Sequence, residues 1–366
     1  MNITFRADAS LDIGTGHVMR CLTLAEAFRG RGAKCRFVCR SHTGNLLEVI
    51  HQRGFEAHVL LPATQQFANV KPASGPPLAH ADWLGTDWAT DALQTEAALG
   101  NSSVDWLIVD HYALDARWEV VLKTQCRRLM VIDDLADREH ICDVLLDQNL
   151  IHGMEVRYQD KVPTHCTCLI GPQYALLRPE FNALRSTSLA RRTVPSLNRL
   201  LIFMGGGDPG NETDKVVAGI KLSQKSWQHI DVVVGQAFSR LHALKEGLAT
   251  LPSATLHVQT PDMALLMADG DLAVTAGGGV TWEKCAVGLP SLVVVLGENQ
   301  RPIASTMHAL GAQRTLGMAT DLTPACYAKY LDEIQTCDLA PMINSASTVC
   351  DGLGTQRVLE VLTQYA

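Results

Sequence analysis

Short apolar runs of strand length alternate with amphipathic stretches of helical spacing along nearly the whole chain, and the rhythm runs twice. "NITFRA" reads as a strand. After it, Val18, Cys21, Leu22, Ala25 and Phe28 recur at the interval that keeps side chains on one helical face. Gly32 stops that helix, "AKCRFVCR" is the next strand, "LLEVIHQRGF" a second helix and "EAHVLL" a third strand. Such a βαβαβ series predicts a parallel sheet flanked by helices. "VDWLIVDHY", "RRLMVIDDLA" and "CDVLLDQNL" extend it with continuous apolar runs, as strands buried on both faces require. The Pro/Gly/Ala-rich stretch 62–82 breaks the rhythm and reads as a long loop.

"LRSTSLARRTVPSLNR", from Leu184 to Arg199, is polar, basic and carries a proline, which predicts an interdomain linker. The rhythm then restarts with "LLIFMGGG", a helix from about Asn211, "HIDVVVG", "ATLHVQ", "DLAVTAGGG", a helix through "WEKCAVG", and "PSLVVVL". A chain of 366 residues suits two domains at roughly 150 residues each. They are expected at 1–190 and 191–366, with the last helix able to pack back on the first domain. Parallel α/β domains bind ligands at the carboxyl ends of their strands, so the expected site is the cleft between the two.

A formal net charge of −7 excludes a globally basic surface for nucleic acid. "MNITFRADAS" has neither the basic nor the apolar region of a signal peptide, and no apolar run is long enough to span a bilayer. A cytoplasmic chain without a membrane or nucleic-acid partner is expected, with a monomer favoured. Eleven cysteines without CxxC spacing point to free thiols rather than a disulfide framework or a zinc site.

Three glycine loops are placed to carry chemistry. In "DASLDIGTGHVMR", Gly14 and Gly16 match G-x-G, but Met19 stands where a dinucleotide fingerprint needs its third glycine. The second strand also ends without the acid that would bind a ribose. A tight turn accounts for the glycines, but not for Asp8, His17 and Arg20 meeting there. His17 opens a helix, where the positive dipole end disfavours an imidazolium. It is therefore expected neutral near pH 7 and available as a general base, with Asp8 orienting it or the attacking water.

The second loop, "MGGGDPGNET", lets the backbone of Gly206 and Gly207 approach an anion, while Asp208 or Asn211 caps the next helix. In the third, Gly277, Gly278 and Gly279 precede a helix start suited to phosphate. Glu283 follows inside that helix, where a carboxylate can accept ribose hydroxyls, and Asn299 follows the next strand. "IVDHYALD" puts Asp110, His111 and Tyr112 at a strand end. Asp133 and Asp134 are candidate metal ligands, but N-capping and turn bonds are the usual work of such aspartates. Arg178 precedes the linker and is either a cleft residue or a surface one.

"FRADASLDIGTGHVMRCLTLA", "IVDHYALD", "IDDLADREHICDVLLDQN", "GPQYALLRPEF", "GGGDPGN" and "TWEKCAVGLPSLVVVLGENQ" together resemble the UDP-2,4-diacetamido-2,4,6-trideoxy-β-L-altropyranose hydrolases of pseudaminic acid biosynthesis. The resemblance runs from about Phe5 to Gln300. It implies an α/β fold of GT-B type, two Rossmann-like domains as in the MurG-like enzymes, with sugar held by the first and UDP by the second. It implies hydrolysis without metal or cofactor, with His17 as base. It also implies substrate-binding roles for Tyr112, Arg178, Glu283 and Asn299. The stretch "HADWLGTDWATDALQT" lies in an insertion, 62–100, that is longer than in compact members of that family. A glycosyltransferase on the same architecture is the alternative enzyme, and a non-catalytic nucleotide-sugar sensor a third reading.

Overall fold

The computed structural model describes residues 1–61, 78–100, 103–236 and 238–365, so most of the stretch expected as a long loop lies outside the described residues. Contacts divide the chain into two compact units. Unit 1 comprises Met1–Asn149, Gly153–Leu176 and Gly354–Ala366, and unit 2 comprises Leu150–His152 and Leu177–Leu353.

Unit 1 holds a seven-stranded sheet. Its strands are β1 (Asn2–Ala7), β2 (Lys34–Arg40), β3 (Glu56–Leu60), β4 (Val104–Asp110), β5 (Cys126–Ile132), β6 (Val144–Asp147) and β7 (Thr167–Ile170). The order is β3-β2-β1-β4-β5-β6-β7, and every pair is parallel. Unit 2 holds β8 (Arg199–Phe203), β9 (His229–Val234), β10 (Ala254–Val258), β11 (Leu272–Ala276), β12 (Ser291–Val295) and β13 (Arg314–Met318). Their order is β10-β9-β8-β11-β12-β13, again all parallel.

The order of crossovers reverses between β1 and β4 in unit 1, and between β8 and β11 in unit 2. At such a reversal the connections leave to opposite faces, which opens a crevice at the carboxyl ends of the two strands. The loops after β1, β4, β8 and β11 are the ones that carry Asp8 to Arg20, Asp110 to Tyr112, Gly205 to Asp208, and Gly277 to Gly279. Both units therefore present their chemistry-bearing loops where parallel-sheet topology places a ligand.

Apolar burial explains the frame. Phe5, Phe28, Phe37 and Trp106 pack on one face of the unit 1 sheet, and Leu107, Trp118, Leu129 and Leu145 on the other. The C-terminal helix Gly354–Gln364 adds Val358, Leu359 and Leu362 to the first of these clusters. Gly354 permits that return: a Cβ there would stand 2.3 Å from the Ala175 carbonyl oxygen, nearer than any real side chain sits.

The stretch Leu184–Arg199 is not an extended linker. Its first half continues the helix Pro179–Arg191. Arg185 and Arg192 are spent on backbone carbonyls of unit 2. Arg185 donates to Ala286 and Ser347, each at 2.7 Å, and Arg192 to Gly270 at 2.6 Å and Met267 at 2.8 Å. Basic composition here marks helix-end carbonyls being satisfied, not solvation. No helix among the described residues is long and apolar enough to cross a membrane.

Candidate functional site

The loop after β1 satisfies much of its own backbone. Ser10 Oγ accepts the N–H groups of Asp12 and Ile13, Ser10 O accepts Gly14 N–H at 2.9 Å, and Thr43 O accepts Leu11 N–H at 3.1 Å. Gly14 makes this turn with φ at +78°, where a side chain is strained. With those four amides occupied, the turn is built to deliver the helix Gly16–Gly30 rather than to cradle a phosphate.

His17 and Arg20 lie on the first turn of that helix and face the end of β4. His17 Nδ1 is 2.5 Å from Asp110 Oδ1. Arg20 grips both oxygens of the same carboxylate, Nε to Oδ2 at 2.6 Å and Nη2 to Oδ1 at 2.7 Å. Its Nη1 reaches Asp134 Oδ2 at 3.2 Å. The Tyr112 hydroxyl donates to the other oxygen of Asp134. The Tyr112 ring meets the His17 imidazole edge-on, with centroids 4.6 Å apart. Five side chains thus close a circuit that fixes His17 from two sides.

Burial alone would raise the Asp110 carboxyl. The Arg20 guanidinium and the His17 ring outweigh it and hold the group well below the usual carboxylate range. An ionised Asp110 only accepts hydrogen bonds, so His17 Nδ1 carries the proton facing it. In the neutral ring Nε2 is then the nitrogen with the free lone pair.

Asp8 is not the partner of His17. Its Oδ1 accepts the Arg6 guanidinium and the backbone N–H of Arg40, each at 2.7 Å. Its Oδ2 faces His111 Nε2 at 3.3 Å. His111 Nδ1 accepts the Ala113 N–H at 3.0 Å, which places that ring's proton on Nε2, toward Asp8. Burial is the main force lowering His111 below its ordinary value, with Asp8 offsetting it in part. Asp8 thus belongs to a buried polar layer with Arg6, Arg40 and Asp91 beneath the circuit. The candidate metal ligands are also occupied: Asp133 accepts from Arg138 and Tyr158, and Asp134 from Arg20 and Tyr112.

In unit 2, the Gly206 carbonyl accepts the Gly235 N–H at 2.9 Å, and a Cβ on Gly235 would stand 2.4 Å from that same oxygen. The loop after β8 is therefore locked against the end of β9. At Gly207 a Cβ would meet open space. Asp208, rather than Asn211, caps the helix Glu212–Leu222, accepting Glu212 N–H at 3.0 Å and Thr213 N–H at 2.8 Å. Gly277, Gly278 and Gly279 join β11 to the helix Val280–Ala286. A Cβ at Gly277 would lie 3.4 Å from Gln300 Oε1, so Gln300 borders this loop. Asn299 is exposed on the adjoining 3-10 turn Glu298–Gln300.

Both loops lead into helices whose first turn holds a buried threonine. The hydroxyls of Thr213 and Thr281 have no hydrogen-bond partner among the described residues. Buried hydroxyls are normally paired, so each stands ready as a donor or acceptor. Glu283 is half-buried, and burial pushes its carboxyl up to about 7, with the Arg178 guanidinium partly offsetting the rise. Arg178 stacks over Phe181 and donates to the Pro261 carbonyl within unit 2. Lys284, buried beside Glu283, donates to Thr275 Oγ1 at 2.8 Å and is pushed down to about 8 by burial. Sequence reasoning did not single out Thr213, Thr281, Lys284 or Gln300. The one local signal was Lys284 at the head of the apolar run that leads into β12.

No family model matches the chain. It is 26% identical over 328 residues to the spore coat polysaccharide biosynthesis protein SpsG of Bacillus subtilis, covering 88% of this chain and 86% of that one. It is 21% identical over 311 residues to the UDP-2,4-diacetamido-2,4,6-trideoxy-beta-L-altropyranose hydrolase of Campylobacter jejuni, covering 85% and 97%. It is 24% identical over 348 residues to an uncharacterized protein of Methanocaldococcus jannaschii, covering 93% of this chain but only 60% of that longer one. Among solved structures, MurG of Acinetobacter baumannii superposes with a TM-score of 0.67 at 14% identity, covering 99% of each chain. UGT89C1 of Arabidopsis thaliana, complexed with UDP, superposes with a TM-score of 0.65 at 12% identity, covering 100% and 99%.

The chain has the two-domain GT-B fold. Within it, His17, Arg20 and Tyr112 meet in one circuit of unit 1. Arg178 and Glu283 stand within electrostatic reach of each other in unit 2; Glu283 lies between the Gly277–Gly279 loop and the Asn299 turn in sequence.

Proposed function

We propose that the protein hydrolyses a UDP-linked sugar at its anomeric carbon, releasing UDP and the free sugar without a metal. The sugar it acts on is read as 2,4-diacetamido-2,4,6-trideoxy-β-L-altropyranose, made for pseudaminic acid. The observation that carries this reading is the buried Asp110 carboxylate 2.5 Å from His17 Nδ1, which leaves Nε2 of the neutral ring as the nitrogen able to act as a base. A nucleotide sensor has no use for such a base. The names of the Campylobacter and Bacillus relatives support sugar-nucleotide work in glycan biosynthesis, and UDP in a neighbour of the same fold supports the nucleotide.

In this reading His17 Nε2 takes a proton from water. The water oxygen bonds to C1 on the face opposite UDP, the C1–O bond to the β-phosphate breaks, and UDP leaves with the electron pair. Inversion follows from the opposed faces. UDP departs as a stable anion, so it needs charge stabilisation more than a proton. The amides at Gly206–Gly207 and Gly277–Gly279, with the Thr213 and Thr281 hydroxyls, are the donors offered for the diphosphate. Glu283 and Asn299 are offered for the ribose and Arg178 for charge beside it. Typical glycosidases instead place two carboxylates, because their leaving alcohols need protonation.

The test is product analysis by NMR after incubating the protein with the UDP-sugar in ¹⁸O-labelled water, with and without chelator. The expected outcome is label in the sugar, inverted configuration and no effect of chelator. Label in UDP means attack at phosphorus and overturns the reading. UDP release only on adding a sugar or lipid acceptor identifies a glycosyltransferase instead.

A further inference from the structure

The insertion motif "HADW" carries two rings to the circuit that the mechanism above does not use. His80 lies 4.4 Å from the Trp83 ring and 5.4 Å from that of Tyr112, centroid to centroid. Trp83 stacks on Tyr112 at 5.7 Å with 27° between planes. Tyr112 is in turn edge-on to His17. The three rings form a continuous aromatic surface whose inner end is the ring touching the candidate base.

Trp83 is placed unlike the core tryptophans of unit 1. Trp106 and Trp118 are 1% and 0% exposed, whereas Trp83 keeps part of its surface open. Its indole N–H has no hydrogen-bond partner among the described residues. The turn that carries it is nonetheless held rigidly. Leu84, 1% exposed, is sunk in the apolar cluster with Trp118 and Leu107. The Trp83 N–H bonds to the His80 carbonyl at 3.0 Å. Gly85 closes the turn with φ at +71°, and a Cβ there would stand 2.9 Å from the His42 ring. Holding a large amphipathic ring half-open on a fixed turn beside a base orients a ligand rather than fills a core.

We propose that Trp83, backed by His80, is a specificity-determining residue that packs against the apolar parts of the sugar. The proposal rests on the reading above for placing a sugar at His17. An aromatic face favours C–H and methyl surface. A 6-deoxy sugar with acetamido methyls offers more of both than a fully hydroxylated hexose, so the wall selects for N-acetylated, deoxygenated sugars. Discrimination by one apolar contact is worth roughly 10–200-fold.

The experiment compares wild type with Trp83→Ala, Trp83→Phe and His80→Ala. Saturation transfer from protein to the sugar methyl protons is recorded for UDP-2,4-diacetamido-2,4,6-trideoxy-altropyranose and for UDP-N-acetylglucosamine. kcat/KM is measured for both and for UDP-glucose, and affinity for UDP alone is the control. Trp83→Ala is expected to lose methyl saturation and to cut the preference over UDP-glucose by about tenfold or more, with UDP affinity unchanged. Trp83→Phe is expected to keep most of both. Methyl saturation and preference within twofold of wild type in Trp83→Ala overturn the proposal, as does wild type with no methyl saturation at all. Should Trp83→Ala fail to fold, His80→Ala decides it: weakened methyl saturation supports the wall, and unchanged saturation overturns it. Wild type that shows methyl saturation but hydrolyses nothing refutes the hydrolase reading alone, and the saturation comparison still decides the wall.

Discussion

His17 Nδ1 stands 2.5 Å from the buried carboxylate of Asp110, which Arg20 also grips with two of its nitrogens. The carboxylate fixes both the tautomer and the direction of the imidazole, and the guanidinium keeps the carboxylate charged. Replacing His17 by Asn removes the proposed proton acceptor and leaves unit 2 untouched. The expected result is a loss of roughly 10²–10⁴ in turnover with UDP affinity unchanged, read by steady-state kinetics and titration calorimetry. Unchanged turnover removes His17 from the mechanism.

Asp110→Asn tests the same relationship from the other side. An amide cannot accept from His17 and from both Arg20 nitrogens while presenting only one oxygen. The His17 tautomer is then no longer fixed, and turnover is expected to fall by about 10²–10⁴, the scale seen when such a carboxylate is neutralised. The distinguishing readout is the imidazole ¹⁵N spectrum, in which the proton is expected to shift from Nδ1 toward Nε2. A spectrum identical to wild type contradicts the assigned role.

A pH dependence of UDP binding follows from the role proposed for Glu283. Burial raises its carboxyl to about 7, so below that pH it is largely protonated. A protonated carboxyl has lost part of its capacity to accept two ribose hydroxyls. Affinity for UDP is expected to rise between pH 6 and 8 more steeply in wild type than in Glu283→Gln, whose side chain does not titrate. The comparison cancels the titration of UDP's own phosphate, and parallel curves refute the ribose role.

Much of the frame was legible because it repeats at short range. Strand-length apolar runs and glycine stops lie within a dozen residues of each other, and the loops after β1, β8 and β11 follow directly from them. The link between His17 and Asp110 was not, since the two residues are 93 positions apart and meet only through the pairing of β1 with β4. Asp8 misled for the same reason: its neighbour in sequence is the glycine loop, but its neighbours in space are Arg6, Arg40 and His111. Arg185, Arg191 and Arg192 read as part of an interdomain linker because composition cannot distinguish a guanidinium in water from one bonded to carbonyls.

A buried pair outside the site gives a stability prediction. His140 Nδ1 is 2.6 Å from Glu119 Oε1, and Asp133 Oδ2 lies 3.9 Å from its other nitrogen. Burial alone would lower this imidazole, but the two carboxylates outweigh it and hold it up at about 9. The folded value lies above the unfolded one, so the contribution is complete below about pH 6.5 and is lost as pH rises toward about 9. His140→Gln removes the cation hydrogen-bonded to the buried Glu119 and is expected to cost about 3–5 kcal/mol. Urea titrations at pH 6 and pH 9.5 check both size and sign: the gap between wild type and variant is expected to be wide at the lower pH and narrower at the higher.

The lock between the loops after β8 and β9 gives the last prediction. Gly235 donates to the Gly206 carbonyl, and a Cβ on Gly235 would overlap that oxygen at 2.4 Å. The clash is backbone against side chain, so no rotamer relieves it. Gly235→Ala must therefore move the Gly205–Gly207 segment, which carries the amides offered to the diphosphate. The circuit around His17 lies in the other unit. UDP affinity is expected to fall by about tenfold or more, the effect of losing a charge-assisted hydrogen bond or two. The ¹⁵N resonances of the His17 ring are expected to stay unchanged. Gly207→Ala, where a Cβ enters open space, separates displacement from occupancy: it keeps the fold of the loop but puts a methyl group where the diphosphate is proposed to approach. Wild-type UDP affinity in both variants places the nucleotide elsewhere.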